Sequence, residues 1–219
     1  LALAAFMSDA GAQTRRSSQS SQTRSSSQSS QTRSSSQSSQ TRRATSGSQT
    51  RQSSNDNKKS TNVQETVDRF WDMFIVDAFN GNFDRHGGNW GFIKKDNKYR
   101  IAPVYDNGSS MYPKLNTDER INDVLGSEEE IDKRVYTFPT SHVKMDGRKS
   151  SYYEVINSLQ FEECNNALLR IFPRIKFEEI DKLIDSIECI NDLRKKFYKR
   201  MYRERYEKIL KPAYDRLVN

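Results

Sequence analysis

Cysteine, long apolar runs and net charge in the C-terminal three quarters are what this chain of 219 residues has least of. Its two cysteines, Cys164 and Cys189, stand 25 positions apart with no CxxC or Cys/His spacing. That excludes a zinc module and a disulfide scaffold, and the expectation is two buried thiols in helical segments of a reducing compartment. No apolar run approaches the ~18 residues of a membrane-spanning helix. A hydrophobic content of 33% fits one ordered domain plus a tail rather than two domains. The net charge of +7 is local: residues 1–60 hold nine Lys/Arg and two Asp/Glu, and residues 61–219 hold 27 of each. The sequence pI of 9.3 therefore describes the tail and is no argument for a basic, nucleic-acid-binding fold.

Residues 1–60 read as a disordered low-complexity tail. A nine-residue unit close to SSSQSSQTR recurs over Arg16–Arg24, Ser25–Arg33 and Ser34–Arg42 and contains no apolar residue to bury. With one Arg per unit, contact of this tail with nucleic acid is a weak expectation. Leu1–Met7 is apolar and Ala10-Gly11-Ala12 has the A-x-A form of a cleavage site, but no basic segment precedes them, so the start reads as a fragment end rather than a signal peptide.

Regular structure is expected from residue 61 onward. Val63, Val67, Phe70, Trp71, Phe74, Ile75, Ala78 and Phe79 share one helical face over about 62–80, with Asn62 as N-cap, Glu65 completing a capping box and Gly81 as the C-terminal glycine. Two β-type runs, Trp90–Lys94 and Tyr99–Val104, flank the turn residues Lys95-Asp96-Asn97-Lys98. Short helical patterns follow near 117–125 and 128–135, and residues 151–217 are mostly helical, closing on an amphipathic helix over about 191–217. The fold class is mainly α with a small β-hairpin.

Between the first helix and the hairpin lies Gly81-Asn82-Phe83-Asp84-Arg85-His86-Gly87-Gly88-Asn89-Trp90-Gly91, and after the hairpin Tyr105-Asp106-Asn107-Gly108-Ser109-Ser110. Phosphoryl transfer asks a protein for positioning, metal ions on the phosphates and a carboxylate near the attacking hydroxyl. Protein kinases place an Asp in a loop, an Asn five residues on, and a second Asp beyond a short hairpin. Asp84 and Asn89 have that spacing, and Asp106 follows across the hairpin. Asp and Asn oxygens suit hard Mg²⁺. On residue chemistry alone these features define a site for a divalent metal and phosphate.

N-x-D-R-H-x-x-N-x-G followed by A-P-x-Y-D-x-G-S-S resembles the C-terminal lobe of the HipA-like serine/threonine kinases over residues 62–217, and Phe138-Pro139-Thr140-Ser141 is also similar. The resemblance implies a protein-kinase-like C-terminal lobe, ATP- and Mg²⁺-dependent transfer to protein Ser/Thr, Asp84 as catalytic base, and Asn89 and Asp106 as the cofactor- and metal-binding pair. It makes Arg85 and His86 loop organisers of the catalytic segment, with a plain structural histidine as the alternative for His86. It also implies a cytoplasmic protein with a protein substrate and an antitoxin-like partner. The glycine-rich loop, β-strand Lys and adenine-holding hinge of a kinase would precede residue 62, where the Ser/Gln/Arg tail stands and Lys58 and Lys59 are poor stand-ins. The expectation is thus a fragment or degenerate lobe, with weak or absent transfer by this chain alone. The alternatives are a non-catalytic pseudokinase or binding module, and a phosphatidylinositol-kinase-like lipid kinase. Ser109, Ser110, Thr140 and Ser141 are expected phosphorylation sites in the segment that would serve as substrate platform.

Overall fold

A computed structural model describes residues 62–219, so the expectations for the tail, its repeats and the chain start lie outside the described residues. Eight helices and two separate two-stranded antiparallel sheets make up the described part. The first helix, α1 (Val63–Asn80), forms where the apolar spacing requires it and buries Trp71, Phe74, Ile75, Ala78 and Phe79. Asn62 caps its start by accepting from the Gln64 backbone N–H at 3.0 Å. Gly81 ends it in the left-handed conformation (φ 62°), where a side chain would be strained and would also meet the Tyr112 ring. The complete capping box occurs at Ser151 and Glu154 instead, with bonds of 3.1 and 2.8 Å.

Strands β1 (Phe92–Lys95) and β2 (Lys98–Ile101) pair as a hairpin in the register Lys95↔Lys98. Asp96 and Asn97 take φ of 50° and 59°, the two positive values a tight hairpin turn demands. Helices α2 (Asp118–Leu125) and α3 (Glu128–Asp132) follow, the second running into a π-helical turn at Lys133–Thr137. A second hairpin, β3 (Thr140–Met145) with β4 (Arg148–Ser151), was not anticipated. It turns on Asp146-Gly147, both at positive φ, and that dipeptide was its sequence signal.

The remaining helices are α4 (Tyr152–Ser158), α5 (Glu162–Ile171), α6 (Phe177–Asp185), α7 (Asp192–Arg205) and α8 (Lys211–Val218). The expected single helix over 191–217 is thus interrupted by a π-helical turn, Tyr206–Leu210, which buries Ile209 and Leu210. One core joins all the helices, with α1 lying along α5, and Phe172 stacking on Tyr206 and Tyr214. Cys164 is buried on α5, as expected, and burial pushes its thiol up to about 12. Cys189 is a correction: it is exposed, because α6 ends at Asp185 and residue 189 lies in the turn before α7.

Candidate active site

The C-terminal end of α1 is tied down group by group, and the candidate site grows from it. The Asp77 carbonyl accepts from the Gly81 and Asn82 backbones, the Ala78 carbonyl from the buried Arg205 Nε, and the Asn80 carbonyl from Met111 N at 2.9 Å. Carbonyls that a helix end leaves orphaned are thereby satisfied, and the chain leaves α1 in a fixed direction. The Asp77 side chain, 1% exposed, accepts from Asn82 Nδ2 at 2.9 Å and takes a two-pronged grip from Arg85, Nε to Oδ2 at 2.8 Å and Nη2 to Oδ1 at 3.1 Å. Asn82 in turn accepts at its side-chain oxygen from Asp84 N, and its carbonyl takes the buried Tyr152 hydroxyl at 3.0 Å. Burial, together with the neighbouring Asp77 charge, pushes that phenol up.

Arg85 joins the two polar segments. Its Nη1 donates to the Asn89 carbonyl at 2.8 Å and to the Tyr105 carbonyl at 2.6 Å, so one nitrogen bridges the backbones at 89 and 105. Its Nη2 also donates to Asn107 Oδ1. Burial works against the guanidinium charge, but the Asp77 hydrogen bonds and charge outweigh it, with smaller help from Tyr152 and Asp106, and hold the group above its usual range. His86 accepts from Gly88 N at Nδ1 (3.1 Å), closing the turn into the short 3₁₀ segment Gly87–Asn89. Tyr105 adds a second link from the far segment, its hydroxyl donating to the Gly88 carbonyl at 3.1 Å.

Asp84, Asn89 and Asp106 share one property. Their backbones, or those of their neighbours, are pinned, yet their carboxylate or amide oxygens accept no hydrogen bond among the described residues. The Asn89 amide nitrogen donates to the Asp84 carbonyl at 2.6 Å, which commits the nitrogen and leaves the oxygen, the atom a cation binds. Asp84 and Asp106 are exposed, and Asp106 sits at φ 57°, a left-handed conformation that non-glycine residues adopt at some cost and that recurs at functional sites. Among the described residues no group of three His, Cys, Asp or Glu side chains could hold a metal by itself. One carboxylate and one amide oxygen do fit Mg²⁺, which keeps waters and takes its remaining ligands from a nucleotide's phosphates.

Sequence reasoning missed Asp77, Asn82, Tyr105, Asn107 and Tyr152 as parts of this scaffold. The signal for Asp77 was an acidic residue beside the apolar face of α1, three after Phe74 and one before Ala78. It also missed His142 on β3, which is electrostatically coupled to both Asp84 and His86. Of the four hydroxyls expected as phosphorylation sites, Thr140 is exposed and Ser109 half-buried. Ser110 Oγ is buried without a partner. Ser141 is a correction: it is 2% exposed and donates to the Ser150 carbonyl at 3.0 Å, which closes it to a kinase.

Residues 15–189 match the family described as the HipA-like C-terminal domain. A serine/threonine-protein kinase, CtkA of Helicobacter pylori strain J99, is 41% identical over 152 residues, 68% of this chain and 46% of the relative. The crystal structure of a Helicobacter pylori proinflammatory kinase CtkA superimposes with a TM-score of 0.70 at 38% identity, covering 74% of this chain and 60% of that one. The chain thus spans about half the length of the curated relative it matches. The mainly helical fold with its small antiparallel sheets is the fold of that kinase over the shared part.

Proposed function

The chain belongs to the HipA-like C-terminal domain family, and from that premise we propose that it carries the catalytic half of an ATP- and Mg²⁺-dependent protein serine/threonine kinase. One observation carries the reading: Arg85 fastens the Asp84–Asn89 loop to the Tyr105–Asn107 segment, while the side-chain oxygens of Asp84, Asn89 and Asp106 accept no hydrogen bond among the described residues. A loop built only to hold a turn would spend those oxygens on its own backbone.

In this proposal Asp84 orients the substrate hydroxyl and accepts its proton. Asn89 and Asp106 supply oxygen ligands to Mg²⁺, which when bound neutralises charge on the transferring phosphate. Arg85 keeps the two segments in register, and His86 fixes the turn between Asp84 and Asn89. The free thiols and the need for ATP accord with work in the cytoplasm. The substrate is a protein, as the name of the curated relative suggests.

A labelled-ATP assay offering protein and phosphoinositide substrates side by side tests this. Protein labelling, weak in this chain alone, that Asp84→Asn reduces further by roughly 10²–10⁴-fold is expected, the range for losing a positioned general base. Asp106→Asn should remove the Mg²⁺ dependence. Equal labelling by wild type and Asp84→Asn, or labelling of lipid alone, would overturn the reading.

A further inference from the structure

A cleft of about 290 Å³ shares Phe83 with the candidate catalytic loop. Phe83, Tyr112, Leu115 and Phe138 form its apolar lining, and Lys114, Lys133 and Arg134 its charged one. The Phe83 and Phe138 rings lie 6.0 Å apart and the Tyr112 and Phe138 rings 6.2 Å apart. Phe138 is 44% exposed, an aromatic ring left largely to water. Lys114 Nζ sits 5.5 Å from the centre of the Phe83 ring and has no acidic partner among the described residues. Among the described residues Lys133 reaches only Glu130, at 3.7 Å, with its own side chain 63% exposed, while Arg134 closes on the same Glu130 at 2.6 Å. Three cations are therefore answered by one carboxylate.

We propose that this cleft docks an apolar side chain of the protein substrate, one flanked by acidic residues in that substrate, and so determines which Ser or Thr is presented to Asp84. The inference rests on the kinase reading above and names the substrate class within it. Three features carry it. The volume is near the lower end of ligand pockets and fits one large side chain rather than a nucleotide. The excess of positive charge at the rim complements acid in the occupant and disfavours basic segments, which is how charged rims select partners. Phe83 and Asp84 are consecutive, about 3.8 Å apart along the chain, so a residue seated against Phe83 belongs to the same stretch of substrate as the acceptor hydroxyl. Arg134 is already engaged with Glu130, and apart from Lys114 and Lys133 the rest of the lining is aromatic or aliphatic, which suits an apolar side chain better than a bare phosphate group.

The test uses the full chain and a library of fluorescein-labelled, Ser-centred peptides, with binding read by anisotropy in the absence of ATP. The expected selection is an aromatic or aliphatic residue at one fixed offset from the Ser, with Asp or Glu beside it. Phe138→Ser should weaken the selected peptide by about tenfold, the scale of a lost apolar anchor. The pair Lys114→Glu and Lys133→Glu should turn the preference from acidic to basic neighbours. All three positions are at the surface, and circular dichroism confirms that the variants fold. A library without a fixed apolar offset, binding indifferent to these substitutions, or displacement of the selected peptide by a single-stranded RNA oligonucleotide at lower concentration than by unlabelled peptide would each overturn the proposal. Phosphotransfer by the unsubstituted chain is scored separately. Peptide selection without transfer retires the catalytic reading and keeps the cleft; transfer without peptide selection does the reverse.

Discussion

Arg85 uses all three of its guanidinium nitrogens: Nε and Nη2 on Asp77, Nη1 on the Asn89 and Tyr105 carbonyls, and Nη2 again on Asn107. A lysine is a point charge on a flexible stem and could serve one or two of these partners, so the planar fork is what the site needs. The Arg85 and Asp77 side chains are only 8% and 1% exposed. Removing one member strands the other as an unpaired buried charge, so Asp77→Ala should cost about 3–5 kcal/mol, read as a fall in the urea midpoint with an unchanged slope. At the thiols the contrast is accessibility: an aromatic disulfide reagent should titrate one thiol in the native protein, Cys189, and two once denaturant exposes Cys164. His142 supplies a pH dependence. Burial, then the charges of Lys149 and His86, lower its pKa against a smaller opposing pull from Asp84. The unfolded chain therefore holds this proton more tightly than the native state does. Stability should be undiminished above the unfolded value of about 6.5 and fall as pH drops below it. His142→Gln should flatten that decline in Tm between pH 7.5 and 5.5; an unchanged slope would show that other groups cause it.

At the scale of elements, what was legible in the sequence followed from local rules. The apolar stripe of α1 from Trp71 to Phe79, Gly81 at its end and the Asp96-Asn97 turn each depend on a few neighbouring residues and stand where the pattern placed them, whereas Val63 in the first turn, expected on that face, is exposed. The β3–β4 hairpin was hidden because its strands hide few side chains, so alternation was faint and only Asp146-Gly147 marked it. The spacing of Asp84, Asn89 and Asp106 was visible, but what holds them was not, because Asp77 and Arg205 look like ordinary charges in amphipathic helices until the tertiary fold gives them partners. Arg205, 0% exposed at the end of α7, donates from Nε to the Ala78 carbonyl and from Nη1 to the Tyr112 hydroxyl and the Arg134 carbonyl, while its Nη2 has no partner among the described residues. It thus clasps α1, the segment after Asp106 and the π-helical turn at Lys133–Thr137 without any carboxylate. Two effects compete on substitution: each lost bond to a charged group costs about 1.5–3 kcal/mol, whereas removing a buried, unpaired cation recovers a desolvation cost of several kcal/mol. Lysine keeps the buried charge and loses the fork; methionine loses both. Arg205→Lys should therefore destabilise more than Arg205→Met, and the reverse order in urea unfolding would mean that the guanidinium bonds dominate.

For the molecule as a whole, the core and the charge fall in different parts of the chain. The buried hydrophobic residues of the described structure lie between Trp71 and Ala213, and all of them but Met73 form a single cluster to which all eight helices contribute. Residues 61–219 carry balanced charge, and the excess of seven positive charges resides in residues 1–60. No helix among the described residues is long and apolar enough to cross a membrane. Folding and electrostatics should then separate cleanly on truncation. A protein of residues 62–219 has a core of its own and a size at which single domains unfold in one cooperative step. It should melt in one transition within about 2 °C of the full chain, because a contribution from residues 1–61 as small as 1 kcal/mol would shift a domain of this size by more, about 2–4 °C or beyond. Its retention on a cation exchanger at neutral pH should collapse, since the excess positive charge is gone. Differential scanning calorimetry and salt-gradient elution on the two proteins read these outcomes independently. A Tm lowered by many degrees would show that residues 1–61 contribute to the fold, and undiminished retention would mean that a basic face of the helical lobe, rather than its N-terminal extension, governs contact with anionic partners.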